Sequence, residues 1–233
     1  MQKVGIVGGT SPESTVYYYQ TIISTFQTRM GSTEVLPELL INSINMHKML
    51  HLLMNKQTEQ LIDYLTHAIE HLEKAGCDFV VMAANTPHIV FEQVSNNVQI
   101  PMISIVEETY KETVRLGIEN IGLLGTQFTM ANDFFKKPFI SSQKNIIVPN
   151  PSEQEYIHKK IVEELGNGII TNETKHQLIE ILNRMITEEH IQGVILGCTE
   201  LPMLIKPKDT VIHQLNTTDI HINKIVDRMF EDK

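Results

Sequence analysis

Lys3-Val4-Gly5-Ile6-Val7-Gly8, near the start of the chain, and Asn120-Ile121-Gly122-Leu123-Leu124-Gly125, half-way along it, share one pattern of apolar and glycine positions. The two copies lie 117 residues apart in a chain of 233. A second pair, Val80-Val81-Met82-Ala83-Ala84 and Val194-Ile195-Leu196-Gly197-Cys198, recurs in the same order at an offset of 114. Two matches at nearly one offset, about half the chain length, indicate an internal duplication. Each run is short, apolar throughout and rich in β-branched residues, as a strand buried on both faces of a parallel sheet must be.

Outward from these runs the same alternation continues. VLPELLIN (35–42) precedes a helical stretch to Lys74, DFVVMAAN (78–85) one to Asn96, and PMISI (101–105) one to Leu116. In the second half NIIVPN (145–150) leads to a helix through Glu164 and another over about Thr174–Glu189; GVILGC (193–198), TVIHQL (210–215) and a last helix to Phe230 follow. Strands alternating with helices of ten or more residues predict βαβ units and an α/β fold. The expected architecture is two similar lobes, each a parallel sheet flanked by helices, related by a pseudo-twofold axis. The first lobe takes residues 1–105 plus 212–233 and the second takes 106–211. In such sheets ligands bind beyond the carboxyl ends of the strands, so the loops after Gly8, Ala84, Gly125 and Cys198 are expected to converge on an active site between the lobes.

Composition narrows the function. With 42% hydrophobic and 20% charged residues the chain reads as an ordinary globular protein. A formal net charge of −9, with no cluster of Lys and Arg, argues against a nucleic-acid or anionic-membrane partner. The start MQKVGIVGG has no signal-peptide pattern, and no apolar run approaches the roughly 18 residues of a membrane span. A cytoplasmic location is expected, where Cys77 and Cys198 stay reduced and form no structural disulfide.

Four loops carry the candidate chemistry. In Thr10-Ser11-Pro12-Glu13 the proline suits a first helical position, and Thr10 and Glu13 have capping-box spacing; the same helix start offers free N–H groups to a carboxylate or phosphate. Gly5, Gly8 and Gly9 lack the GxGxxG spacing, so no nucleotide cofactor is expected. After the third strand, Asn85 and Thr86 suit both helix capping and substrate contact, and His88 suits both a surface and a functional role. Cys198-Thr199-Glu200 occupies the matching turn of the second half. A lone cysteine is commonly buried and inert, yet at a helix N-terminus its thiolate is favoured and serves as base or nucleophile. Cys77 precedes its strand and is assigned no role. His47/His51 and His67/His71 have i, i+4 spacing but no third ligand, so no metal is expected; the eleven methionines are scattered and read as core filling.

At these residues the sequence resembles the aspartate/glutamate racemase family, which works without pyridoxal phosphate. The likeness runs through VGIVGGTSPEST (4–15), MAANTPH (82–88), GLLGT (122–126), ILGCTEL (195–201) and NTTDIH (216–221). It implies a duplicated Rossmann-like fold, a homodimer, no cofactor, and a small amino-acid or carboxylic-acid substrate held between the lobes. Two cysteines on opposite faces of the α-carbon then exchange its proton. Removing so weakly acidic a proton needs a positioned base and stabilisation of the charge that develops on the carboxylate. By resemblance Cys198 is the thiol serving the L-enantiomer, while the first cysteine is replaced by Ala84. The resemblance further implies substrate contacts from Thr10, Asn85, Thr86, Thr126, Thr199 and Glu200, with Ser11, Lys48 and His88 as additional candidates. Lys48 stands in for an arginine of the family; Gly166 takes the place of a lysine, which weakens the case for a dicarboxylic substrate, and Asn216 takes that of an aspartate. The expected function is an amino-acid racemase with Cys198 as acid/base, one-sided or impaired because reprotonation of the other face falls to water, a threonine or His88. The alternatives are a single-cysteine isomerase or decarboxylase on the same scaffold, or a ligand-binding homologue without catalysis.

Overall fold

Every residue of β1 (Val4–Gly8) and of β3 (Phe79–Met82) is buried, as a strand covered on both faces requires. In a computed structural model of the chain, which describes all residues except Ser141, Gln143 and Lys233, β1 and β3 pair in parallel at the centre of a four-stranded sheet ordered β2-β1-β3-β4. β2 is Leu39–Ser43 and β4 is Met102–Ile103. The second sheet repeats the order as β6-β5-β7-β8, with β5 at Asn120–Leu124, β6 at Asn145–Ile147, β7 at Gly193–Leu196 and β8 at His213–Asn216. All six pairings are parallel.

Strand alternation divides the first core between two faces. Val4 and Ile6 of β1, with Phe79 and Val81 of β3, pack with Tyr18, Ile22 and Phe26 of α1 (Pro12–Met30) and with Ile222, Ile225 and Met229 of α11 (Thr217–Phe230). Val7, Val80 and Met82 point the other way, onto Leu61, Leu65, Ile69 and Leu72 of α3 (Thr58–Lys74) and Val94 of α4 (Phe91–Asn97). Helices therefore cover both faces, as right-handed crossovers in this strand order dictate. Gly5 permits close approach of α3, since a Cβ there would lie 2.9 Å from Leu72 Cβ and 3.0 Å from Cys77 Sγ. Cys77 is thus a packing residue, and burial raises its pKa. In the second unit Leu124, Val194 and Leu196 pack with α8 (Pro151–Glu163) and α9 (Asn172–Glu188) through Ile157, Ile161, Leu178 and Leu182.

The chain separates into Met1–Ile105 with Thr218–Lys233, and Val106–Thr217. The return expected at residue 212 is therefore corrected to Thr218, because β8 pairs with β7 and belongs to the second sheet. The stretch read as one helix to Lys74 is two, α2 (Met46–Met54) and α3, separated at Lys56, which takes the left-handed conformation at φ 55°. Between β5 and β6 the chain forms two short helices that the sequence pattern does not mark, α6 (Gln127–Ala131) and α7 (Lys137–Ile140). The remaining helices are α5 (Ile105–Arg115) and α10 (Leu201–Leu204). Among the described residues no helix is long and apolar enough to cross a membrane.

Candidate active site

In a sheet ordered 2-1-3-4 the connections from the two central strands diverge, and the crevice they leave lies outside those strands' carboxyl ends. In the first unit these are the exits of β1 and β3, in the second those of β5 and β7. Val7 pairs with Met82, and its counterpart Leu124 pairs with Leu196. Two residues beyond Met82 is Ala84, and two beyond Leu196 is Cys198, so the ladders place both at equivalent exits.

At the β1 exit Gly9 adopts φ +77°, and a Cβ there would lie 2.3 Å from the Ile44 carbonyl oxygen. Its N–H donates to Thr15 Oγ1 at 2.8 Å, while Ser14 Oγ donates to the Ala83 carbonyl at 2.8 Å and so ties α1 to the end of β3. The expected Thr10–Glu13 capping box is not formed. Ser11 is the N-cap, accepting from the Ser14 N–H at 3.3 Å and donating to Glu13. Thr10 is instead buried, and its Oγ1 has no hydrogen-bond partner among the described residues.

Beyond β3, Ala84 is half-buried and Asn85 buried. A 3-10 turn, Thr86–Val90, begins here with Pro87 in its first turn, and neither Asn85 nor Thr86 caps it with a side chain, which corrects the capping expectation. His88 is neither a surface group nor a free acid. It is buried, with Nδ1–H donating to the Ala84 carbonyl at 2.9 Å and Nε2 accepting from the Ile105 N–H at 3.3 Å. Burial, reinforced by the neighbouring His221, lowers its pKa to about 3. His221, a residue that the sequence pattern alone does not single out, is fully buried. Its Nδ1 accepts from Tyr18 Oη at 2.8 Å and its Nε2–H donates to the Ile103 carbonyl at 3.1 Å. Burial lowers its pKa to about 4. The available signal was NTTDIH, whose last residue lies one helical turn after the chain re-enters this unit.

At the β5 exit Thr126 caps α6, accepting from the Thr129 N–H at 3.3 Å. At the β7 exit Cys198, Thr199 and Glu200 are all half-buried. The Cys198 thiol donates to Glu200 Oε2 at 2.7 Å. The expectation of a lowered thiol pKa is corrected: burial pushes it well above the ordinary value, and the Glu200 charge pushes it further. The helix that was to favour the thiolate, α10, has only four residues. Lys48 is exposed on α2 with Nζ 4.3 Å from the centre of the Tyr64 ring, so a cation–π contact engages it. Gly166 lies in the 3-10 turn Leu165–Asn167. Of the histidine pairs, His67 Nδ1 meets its own helix at the Asp63 carbonyl and the His51 ring contacts Asn55. Among the described residues no group of three metal-ligating side chains is placed to hold an ion.

These features define a duplicated parallel α/β protein with polar strand exits and a hydrogen-bonded thiol at one of them. Residues 7–225 match the model of the Asp/Glu/Hydantoin racemase family, and the chain belongs to that family. It is similar to an aspartate racemase homologue from Pyrococcus horikoshii, 36% identical with a TM-score of 0.89, over 99% of this chain and 100% of that one. It is 27% identical over 208 residues to the broad specificity amino-acid racemase RacX of Bacillus subtilis, the match covering 85% of each chain. The aspartate racemase of Picrophilus torridus shares the fold, with a TM-score of 0.76 at 20% identity over 98% and 94% of the two chains.

Proposed function

We propose that the protein is a cofactor-independent amino-acid racemase of the aspartate/glutamate type in which Cys198 is the acid/base at the substrate α-carbon. The observation that carries this is the Cys198 thiol, half-buried at the β7 exit and hydrogen-bonded to a carboxylate. Family membership over residues 7–225 supports the reaction class. Thr10, whose buried hydroxyl has no partner among the described residues, supports a substrate contact at the β1 exit, and Asn85, Thr86, Thr126 and Thr199 follow the other exits.

Ala84 makes the reaction one-sided. The alanine has no proton to give, and both ring nitrogens of His88 are already engaged with backbone groups. Reprotonation of the opposite face therefore falls to water or Thr86, and racemisation in that direction is slow. The same alanine favours a second reading, a single-thiol isomerase or decarboxylase acting on a carboxylic acid.

Proton NMR in heavy water separates these readings. With L- and D-aspartate, L- and D-glutamate and neutral amino acids, a racemase washes out the α-proton of one enantiomer faster, and Cys198→Ala abolishes the exchange. Ala84→Cys is expected to raise two-way interconversion at least tenfold, by restoring a proton donor on the second face. Exchange that persists in Cys198→Ala would refute the assigned base. Conversion of a dicarboxylate without any amino-acid exchange would favour the second reading.

A further inference from the structure

We propose that the cleft between the first turns of α1 and the loop after β2 receives the side chain of the substrate, and that it takes an amino acid whose side chain is neutral and apolar, of methionine or leucine size. This rests on the racemase reading above and narrows its substrate.

The cleft lies wholly within the first unit and adjoins the β1 exit. Its volume is about 420 Å³, within the range of small-molecule sites. Gly9 joins cleft and exit: it lines the cleft, and the next residue is Thr10, whose buried hydroxyl is assigned above to substrate contact. A Cβ at Gly9 would lie 2.3 Å from the Ile44 carbonyl oxygen and 2.6 Å from Ser43 Oγ, so a side chain there would fill the boundary between them. The Ile44 N–H donates to the Gly8 carbonyl at 2.9 Å, which fixes the loop after β2 against the β1 exit.

The lining suits an apolar group and offers nothing to a second carboxylate. Pro12, Val16, Ile44 and Met46 form its apolar surface. Thr15 has its hydroxyl engaged with backbone, accepting from the Gly9 N–H at 2.8 Å and donating to the Ser11 carbonyl at 2.9 Å. Ser43 and His47 complete the polar lining, and among the described residues that form it there is no lysine or arginine. Lys48, the residue after His47, is held with Nζ 4.3 Å from the centre of the Tyr64 ring. Glu13, next to Pro12 in the chain, adds a negative charge, its carboxylate accepting from Ser11 Oγ at 3.3 Å. A side-chain carboxylate entering here would exchange water for apolar surface without gaining a cation. An aliphatic or thioether side chain instead buries its methylenes, and flexible Met46 adapts to branched and unbranched shapes alike.

The test uses the full chain with L-alanine, L-methionine, L-leucine, L-aspartate and L-glutamate. Two readouts are taken for each: kcat/KM for α-proton exchange in heavy water, and Kd by titration calorimetry. Wild type should prefer L-methionine to L-aspartate by about 100-fold or more in kcat/KM, and to L-alanine by about tenfold or more. Met46→Ala should lower the methionine-to-alanine ratio about tenfold. Val16 is 54% exposed, so the fold tolerates an arginine there, and Val16→Arg should move the glutamate-to-methionine ratio about tenfold or more toward glutamate by supplying a carboxylate partner. General damage to the fold cancels from these ratios, so a merely structural role for either residue would not move them.

A wild-type preference for aspartate or glutamate over methionine would overturn the assignment, above all if His47→Ala abolished it, since His47 would then be the carboxylate receptor. Ratios unchanged in both Met46→Ala and Val16→Arg would also overturn it, by placing the substrate side chain elsewhere. If no amino acid exchanges its α-proton, the racemase reading fails by itself and calorimetry decides the cleft. Methionine binding at least about tenfold tighter than aspartate, and weakened by Met46→Ala, upholds the apolar subsite; equal binding of the two, or none, removes it.

Discussion

Gly9 shows how one backbone conformation secures a whole loop. Its φ of +77° already excludes most side chains, and a Cβ would in addition lie 2.3 Å from the Ile44 carbonyl and 2.7 Å from the Ile44 nitrogen, neither of which can swing away. Gly31, at φ +66°, has nothing within 4 Å of the same position. Gly31→Ala should therefore cost about 1 kcal/mol, the conformational penalty alone. Gly9→Ala adds overpacking against fixed backbone, for about 2–4 kcal/mol in total. Calorimetry should show the second variant melting roughly 5–15 °C below wild type at this chain length; equal shifts would mean that the Ile44 contact yields freely. The repeat made the positions of Ala84 and Cys198 legible, since equivalent strands end at equivalent residues. It could not disclose their states. The raised Cys198 pKa comes from burial first and then from a carboxylate two residues on. The neutrality of His88 comes from burial and from His221, which lies 133 residues on in the sequence.

Among the elements, strands were the easiest to read because a doubly covered strand is apolar at every position, as in Val4–Gly8 and Gly193–Leu196. Helix ends were harder. Thr10 and Ser11 both match an N-cap, and the choice falls on Ser11 because the chain turns at Gly9 and buries the Thr10 side chain. Opposite effects follow at adjacent positions. Ser11→Ala removes a cap and should cost about 1 kcal/mol. Thr10→Val exchanges an unpaired buried hydroxyl for a methyl of the same shape and should be neutral or slightly stabilising, while raising KM if the hydroxyl receives substrate. Urea midpoints and KM for the two variants check this, and a destabilised Thr10→Val would show that the hydroxyl has a partner in the folded protein. The short helices α6 and α7 were not legible for a related reason. At five and four residues they present no period to detect, and aromatic packing such as Tyr110 against Phe139 supports the segment instead.

For the molecule as a whole, the duplication was legible and the crossing points only partly so, because TVIHQL carries no mark of which sheet it joins. The crossings coincide with two buried imidazoles. His88 holds the Ile105 N–H, where the chain leaves the first unit, and His221 holds the Ile103 carbonyl from the first turn after its return. Their folded pKa values of about 3 and about 4 lie below the roughly 6.5 of an unfolded histidine. The unfolded chain therefore binds more protons in this window, and stability falls as pH drops below about 6.5. At pH 5 each imidazole should have removed about 2 kcal/mol. That pH still lies above the lowered carboxyl titrations of Glu164, Asp209 and Glu231, so histidine dominates the change. Among the described residues the second unit buries no histidine: His158 is half-buried, and His176, His190 and His213 are exposed. Acid should accordingly loosen the first unit first. Hydrogen exchange at pH 7 and pH 5, corrected for intrinsic rates, should show protection lost in β1, β3 and α11 while β5 and β7 keep theirs. Equal loss in both units would place the acid sensitivity elsewhere, and protection unchanged at pH 5 would mean that burial does not hold the two imidazoles neutral in the folded protein.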